Sequence, residues 1–354
     1  MGLFDIFKTQ WSAGKMTPDD RKKVFWYLKR KTSYVAWKRA ADAFDAFAVI
    51  FKKQVVEEPI AKAVMSMEGT NWETSYPEIL RAQVLYEQGL AHLLHGDRSV
   101  WLYNDRGILG DAGNIANSWY SKLVNNGPRG DHFYDGKYVE EMTEAIKEFD
   151  VTSRDTGYQQ SMMAEAPAVE WWGEGMYCIL NNELFPRTPE PGWPRLKLAS
   201  LIEYPNPLPE VPFSEKEVLI KTGENTPVFG IYEPQVKDGC MNYLLQNTAA
   251  PPLSYGGEDK RPVVWRLIWE DTRYLDGAIP EEEALYFPQE LEVVQPTAIP
   301  VSLDTQPNAP TGALCPQSGN WVVLDDIHGK QTFQKGDRFP QHQGRDVIWL
   351  FVSN

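Results

Sequence analysis

Apolar positions in the first half of the chain recur at three- and four-residue spacing, the pattern of amphipathic helices. Thr17-Pro18-Asp19-Asp20 opens the first helix. Thr17 can cap, Pro18 suits the first helical position, and the two acids favour the positive end of the helix dipole. The pattern predicts helix, whole or in two pieces, as far as about Glu58, with Pro59 as its stop. A second start at Ser75-Tyr76-Pro77-Glu78 is followed by Ile79, Ala82, Tyr86, Leu90 and Leu93 at helical spacing, with Gly96 as the end. Ile115–Val124 and Tyr138–Phe149 read as two shorter helices, and Tyr158 to Leu184 as another interrupted at Pro167. Between Gly14 and Leu184 strand-like alternation is scarce.

The texture changes near residue 185. Eight prolines fall between Pro186 and Pro212, a density no helix tolerates. Beyond them Val263, Trp265, Leu267 and Trp269 alternate with Val264, Arg266 and Ile268, as in a strand. Trp321–Leu324 and Val347–Val352 are apolar on both faces, which predicts buried strands, and Leu291–Val294 is a further short one. The expected fold class is α+β. A helical N-terminal domain (1–185) is followed by a Pro-rich linker (186–215), a strand-rich domain (216–295), a second Pro-rich linker (296–311) and a small β-barrel-like module (312–354). No internal repeat is read in the sequence.

The chain has 354 residues, 42% of them hydrophobic, enough for a packed core and incompatible with wholesale disorder. Lys and Arg number 35 against 49 Asp and Glu, a formal charge of −14. That balance argues against nucleic-acid binding, which needs a basic face, and fits a basic partner. Residues 1–60 run the other way, with 12 basic and 7 acidic residues, leaving −19 for the remainder. The basic helix is either a solvated face, or it docks on the acidic body or a membrane surface. Cys178, Cys240 and Cys315 are too few and too scattered for a disulfide framework or a zinc site. The N-terminus, Met1 to Phe7, has no basic leader, Ile6 stands where a myristoylation signal wants Ser or Thr, and no apolar run nears the ~20 residues of a membrane span. The expectation is a soluble cytoplasmic protein.

Candidate chemistry is thin. The Gly cluster Arg106–Gly113 lacks the strand that a nucleotide-binding turn would follow and reads as a loop. GxSxG is absent, and none of the five histidines stands in a known signature with a cysteine. His92 and His95, with Asp97 nearby, could share a metal only with a distant third ligand such as Asp131 or His132; a helix-end pair favoured by the dipole is the simpler reading. Glu170 and Glu174 flank Trp171 and Trp172, but both would lie on one helix face, whereas the paired carboxylates of a glycosidase stand across the scissile bond. No cofactor is implied. Glu281, Glu282 and Glu283, with Asp325 and Asp326, are the candidate contacts for a basic partner, and acids at a helix start are also stabilising in themselves.

Two blocks carry a resemblance. The first is Thr222-Gly223-Glu224-Asn225-Thr226-Pro227, then Gly230-Ile231-Tyr232-Glu233-Pro234, Gly239 to Leu244 and Ala250-Pro251. The second is Thr311-Gly312, Cys315-Pro316, Ser318-Gly319, Trp321, Phe333, Gly336-Asp337, Pro340 and Trp349. Together they resemble the immunity-protein families numbered 71 and 72 of bacterial polymorphic toxin systems. The resemblance covers mainly residues 220–354, and the helical half is compatible with it. It implies a non-enzymatic protein that binds and sterically neutralises a cognate toxin, with no catalytic residues to carry over. The alternatives are an adaptor or chaperone for a secreted effector, and a carboxylate-dependent hydrolase using Glu170 or Glu174. Read on their own, the glycines are turn residues, Cys240 and Cys315 are small buried groups, and Trp321 and Trp349 are core.

Overall fold

The computed structural model describes residues 17–58, 72–101, 107–125, 136–156, 168–169, 202–213, 217–236, 239–254, 260–288, 308–324 and 326–353. Among these residues five α-helices are followed by strands: α1 (Pro18–Lys31), α2 (Tyr34–Phe51), α3 (Trp72–Leu93), α4 (Ile108–Tyr120) and α5 (Gly136–Arg154). The chain forms two compact units. One comprises Met1–Ala40, Gly89–Gly110 and Val151–Gln289; the other Ala41–Gln88, Asp111–Asp150 and Glu290–Asn354. Helices α2 to α5 each have residues in both.

In the first unit, α1 starts as its sequence dictates. The Asp20 amide donates to Thr17 Oγ1 at 3.1 Å, and the Thr17 amide donates back to the Asp20 carboxylate at 2.9 Å, a reciprocal cap. The long helical pattern breaks at Thr32-Ser33. The Thr32 hydroxyl donates back to the Leu28 carbonyl, and Ser33 Oγ accepts from the Ala36 amide and so caps α2. The basic face of α1 is neither solvated nor free. Arg21 donates to Glu233 at 2.7 Å, Lys29 reaches Glu282, and Arg30 meets Asp155 at 3.0 Å. Its apolar face is buried through Val24 to Leu28, with Phe25 edge-on to Trp269. The basic helix therefore docks on carboxylates of its own unit.

Two boundaries differ from the sequence reading. Helix α3 begins at Trp72 and contains Pro77, since a proline near a helix start deletes only one backbone bond. Most of the predicted glycine loop is helix: α4 starts at Ile108, with Leu109 and Ala112 fully buried, so packing overrides the weak propensity of Gly110 and Gly113. Gly89 of α3 makes this possible, because a Cβ there would lie 2.5 Å from the Leu109 side chain. Of 158–184, the described part is β1 (Ala168–Val169), a strand parallel to β5 (Leu253–Ser254), to which β6 (Lys260–Arg261) pairs antiparallel. Leu291–Val294 lies outside the described residues.

The main sheet of the first unit runs in the order β2-β7-β3-β4: β2 (Leu219–Lys221), β3 (Gly230–Pro234), β4 (Asn242–Leu244) and β7 (Val264–Glu270), all antiparallel. The second unit holds an aromatic helical core in which Phe44, Phe47, Phe51, Tyr76, Tyr86, Trp119 and Phe149 meet at 5.0–6.3 Å. It also holds a second antiparallel sheet: β8 (Asn308–Pro310), β9 (Gly319–Val323), β10 (Asp326–Phe333) and β11 (Ile348–Ser353). Its order is β8-β11-β9-β10, an open sheet with β8 and β10 at its edges and no closure into a barrel among the described residues. Pro310 stands on an edge strand, where its missing amide costs least.

These two sheets are copies of one design, a repeat the sequence reading did not find. A shift of 89 residues (222 to 311) superposes β2, β3 and β4 on β8, β9 and β10, and a shift of 84 (265 to 349) superposes β7 on β11. The strand order is the same, and so is the register: Ile220 pairs with Trp265 as Ala309 pairs with Trp349, and Pro234 pairs with Trp265 as Val323 pairs with Trp349. The side-chain bonds repeat too. Thr222 Oγ1 accepts from the Val263 amide at 2.9 Å, and Thr311 Oγ1 from Val347 at 2.9 Å. The Trp265 indole donates to the Pro251 carbonyl at 2.8 Å, and that of Trp349 to Pro340 at 3.0 Å. Gly223 and Gly312 turn with φ of 86° and 85°, a conformation that favours glycine, and the isolated bridges Asn225–Ala249 and Leu314–Arg338 correspond. The repeated Thr-Gly, Pro, Gly and Pro residues lie in the two motif blocks of the sequence, and Trp265, the counterpart of Trp349, lies beyond the first block.

Candidate functional site

Strand β7 delivers the chain into a buried cluster of charge within the first unit. Asp271, with a fully buried side chain, accepts from Arg98 Nη2 at 2.8 Å, from Arg273 Nε at 2.9 Å and Nη2 at 2.8 Å, and from the Tyr243 hydroxyl at 2.8 Å. Arg273 donates onward to the Lys29 and Thr32 carbonyls and to Thr32 Oγ1. It thereby satisfies backbone acceptors at the end of α1 that have no partner within the helix. The opposite problem is solved at the start of α2. The Tyr34 amide donates to the Tyr274 hydroxyl at 2.7 Å and the Val35 amide to Glu283 at 3.2 Å, while Tyr274 donates to Glu283. Glu283 lies 3.5 Å from Arg273 and at the positive end of α2. The cluster fastens the α1–α2 junction, the Arg98 turn and the segment 271–283 to one another.

The two carboxylates shift in opposite directions. Burial pushes Asp271 up, but the flanking Arg273 and Arg98 outweigh it and hold the group below the ordinary carboxylate range. At Glu283 burial prevails over the pull of Arg273 and the bonds from Tyr274 and Val35, and the group is raised. Burial likewise raises Tyr243 and Tyr274. A second buried pair extends the network: Asp155 accepts from Arg30 at 3.0 Å and Arg39 at 3.2 Å, and both guanidiniums stack on Phe287. These charges are turned inward onto one another, which suits holding backbone in place rather than turning over a substrate.

The sequence-predicted contacts separate here. Glu281 is exposed, Glu282 is half-buried and bound to Lys29, and Glu283 is 0% exposed and committed to the network, so it is not offered to a partner. Asp325 lies outside the described residues, and of Asp326 only the backbone is described, at the start of β10. His92 Nδ1 stands 3.3 Å from Asp97, and His95 Nδ1 is 2.8 Å from the Ala91 carbonyl, the helix-end pair of the simpler reading. Burial raises Asp97, but bonds from Ser99 and His92 bring it below its ordinary value. Among the described residues no group of three side chains could hold a metal; Asp131, His132, Glu170, Glu174 and Cys178 lie outside them. Cys240 and Cys315 are buried, and burial pushes the Cys240 thiol up to about 12. The sequence reading missed Arg98, Asp271, Arg273 and Tyr274. Asp271-Thr272-Arg273 directly after an apolar strand is a local cue, but nothing local points to Arg98, 173 residues away.

Residues 15–187 match the family model of immunity protein 71, and residues 252–287 that of immunity protein 72. The chain matches two immunity-protein families. These matches indicate a role in toxin immunity, a class generally without enzymatic activity. No curated relative and no solved structure matches the chain. The immunity-protein regions do not coincide with the two motif blocks: the first block ends just before residue 252, and the second lies beyond 287. They meet instead in the buried cluster, where Thr32, Tyr34 and Arg98 come from the first match and Asp271, Arg273, Tyr274 and Glu283 from the second.

Proposed function

We propose that this protein is a cytoplasmic immunity protein that binds a cognate, basic toxin and blocks it sterically. The observation that carries the reading is the pair of immunity-family matches, joined through one buried network. The inward turn of that network favours binding over catalysis. Burial of about 1,600 Å² over a toxin's active cleft suffices for a stable block. A net charge of −14 would speed encounter with a cationic partner, with Glu281, Glu282, Asp325 and Asp326 as candidate contributors. No helix among the described residues is long and apolar enough to cross a membrane.

The test is co-expression with the candidate toxin encoded beside the gene. Survival of cells that otherwise die, together with co-purification of the two chains, is the expected result. Co-purification without survival would replace immunity by an adaptor role, and the absence of both would overturn the reading.

A further inference from the structure

Among the described residues eight large apolar side chains are exposed, and three of them fall within eleven residues: Leu275 at 68%, Ile279 at 44% and Leu285 at 54%. Leu275 and Ile279 ride on a loop closed at its base by the bond from Tyr274 to Glu283 and tightened by the turn from the Gly277 amide to the Tyr274 carbonyl, and Leu285 follows two residues after the closing Glu283. Leu275 lies against Gly96, where a Cβ would come within 2.5 Å of Leu275 Cδ2, so that one methyl is held while the residue stays largely exposed.

The loop is kept in shape against local preference. Tyr274 has φ of 65°, a left-handed conformation costly for a bulky side chain, and is almost wholly buried. Such strain persists only where the surroundings over-determine it, and it gathers at functional segments. Here the surroundings are the buried cluster beneath. The result is a pre-shaped apolar surface, which reduces the ordering cost that binding otherwise carries.

The repeat points to the same place. What both copies share, the Thr-Gly turns and Trp bonds, is scaffold and cannot distinguish partners. The 271–288 segment is not part of the repeated frame, and it lies in the residues matched by immunity protein 72 up to 287. From Tyr274 to Pro288 it contains four acids and no base, and Asp276 and Glu281 are exposed at its rim.

We infer that Leu275, Ile279 and Leu285, rimmed by Asp276 and Glu281, form the toxin-docking surface, and that its occupant is an apolar patch bordered by Lys or Arg on the cognate toxin. The inference rests on the immunity reading and adds the location and chemistry of the contact. Apolar side chains at the centre supply affinity, and the acidic rim supplies rate and sign.

The test measures binding of the full chain to the toxin encoded beside the gene, with unfolding midpoints checked for every variant. Ile279→Asp combined with Leu285→Asp is expected to weaken binding at least about tenfold with an unchanged midpoint. Glu281→Lys is expected to slow association several-fold, more so at low salt. Leu314→Asp, an exposed apolar site on the other sheet module, should bind as wild type. Wild-type affinity in the double variant, or weakening by Leu314→Asp alone, overturns the docking surface and leaves the immunity reading intact. A wild-type chain that fails to bind overturns both. A wild-type dimer made monomeric by the double variant would assign the surface to a second copy of the chain and overturn the inference.

Discussion

The two sheet modules share a hydrogen-bonded frame and little of their filling. In the first, Ile220, Tyr232, Leu244, Ala250, Trp265 and Leu267 face the core; the second has Ala309, Trp321, Phe333, Phe339, Trp349 and Phe351 at the matching places. Large and small exchange positions: Ile220 with Ala250 in one copy, Ala309 with Phe339 in the other. The aliphatic core thus becomes an aromatic one, with Phe339 4.8 Å from Trp321 and Phe333 5.0 Å from Trp349. Cores accept such exchanges when total volume is kept. The turns and the Trp-to-carbonyl bonds do not exchange, because an unpaired buried polar group costs more than a repacked methyl.

The largest effects should fall on the shared tryptophans. Trp265→Ala and Trp349→Ala are each expected to cost about 3–5 kcal/mol, read from denaturant unfolding, by opening a cavity and freeing a carbonyl. A large inequality between them would break the equivalence of the copies. Asp271→Asn probes what is attached to the first copy. It leaves Arg98 and Arg273 facing each other without their counter-charge, at a cost of about 3–5 kcal/mol, whereas Glu283→Gln costs less because burial already disfavours that charge.

The pH dependence separates these two carboxylates. Asp271 is lowered on folding, so its contribution is present above the ordinary value of about 3.9 and is lost as pH falls through its folded value. Glu283 is raised, so its contribution is full below about 4.3 and is lost as pH climbs through its folded value. Unfolding midpoints across a pH series should lose acid sensitivity in Asp271→Asn and the opposite slope in Glu283→Gln. Smaller and again paired, Thr222→Val and Thr311→Val should each cost about 1–3 kcal/mol through the stranded strand amide. Gly223→Ala and Gly312→Ala should each cost about 1–2 kcal/mol from backbone strain alone, since an added Cβ meets nothing within 4 Å at either.

The local features were legible in the sequence. The cap at Thr17, the ends of α3 and α5 to within a few residues, the strand at β7 and the burial of Trp321 and Trp349 all follow from spacing and residue type. The repeat was in view as two motif blocks but was not recognised as one design. Its identities are a few turn residues and one core tryptophan, Trp265 with Trp349, its other core positions differ, and the spacing slips by five residues between β4 and β7. The buried cluster was illegible for another reason. Arg98 and Asp271 carry no local mark of each other, and a run of three glutamates gives no sign that its third member points inward.

The repeat has a consequence for how the chain folds. Two sheets of identical order and register in one polypeptide invite a strand from one to fill the place of its counterpart in the other, a characteristic misassembly of tandem modules. The swapped cores guard against it. Strand β8 in the place of β2 would set Ala309 where Ile220 belongs, in a core that also holds the small Ala250, and lose volume there. Strand β2 in the place of β8 would add the bulk of Ile220 at the Ala309 position, to a core already filled by Phe339 and the other aromatics. Ala309→Ile with Phe339→Ala erases that distinction, and the expected outcome is a lower refolding yield beyond the loss in stability; an unchanged yield would show that the cores play no such part. Divergence between the copies would then serve as the proofreading that keeps each strand in its own sheet.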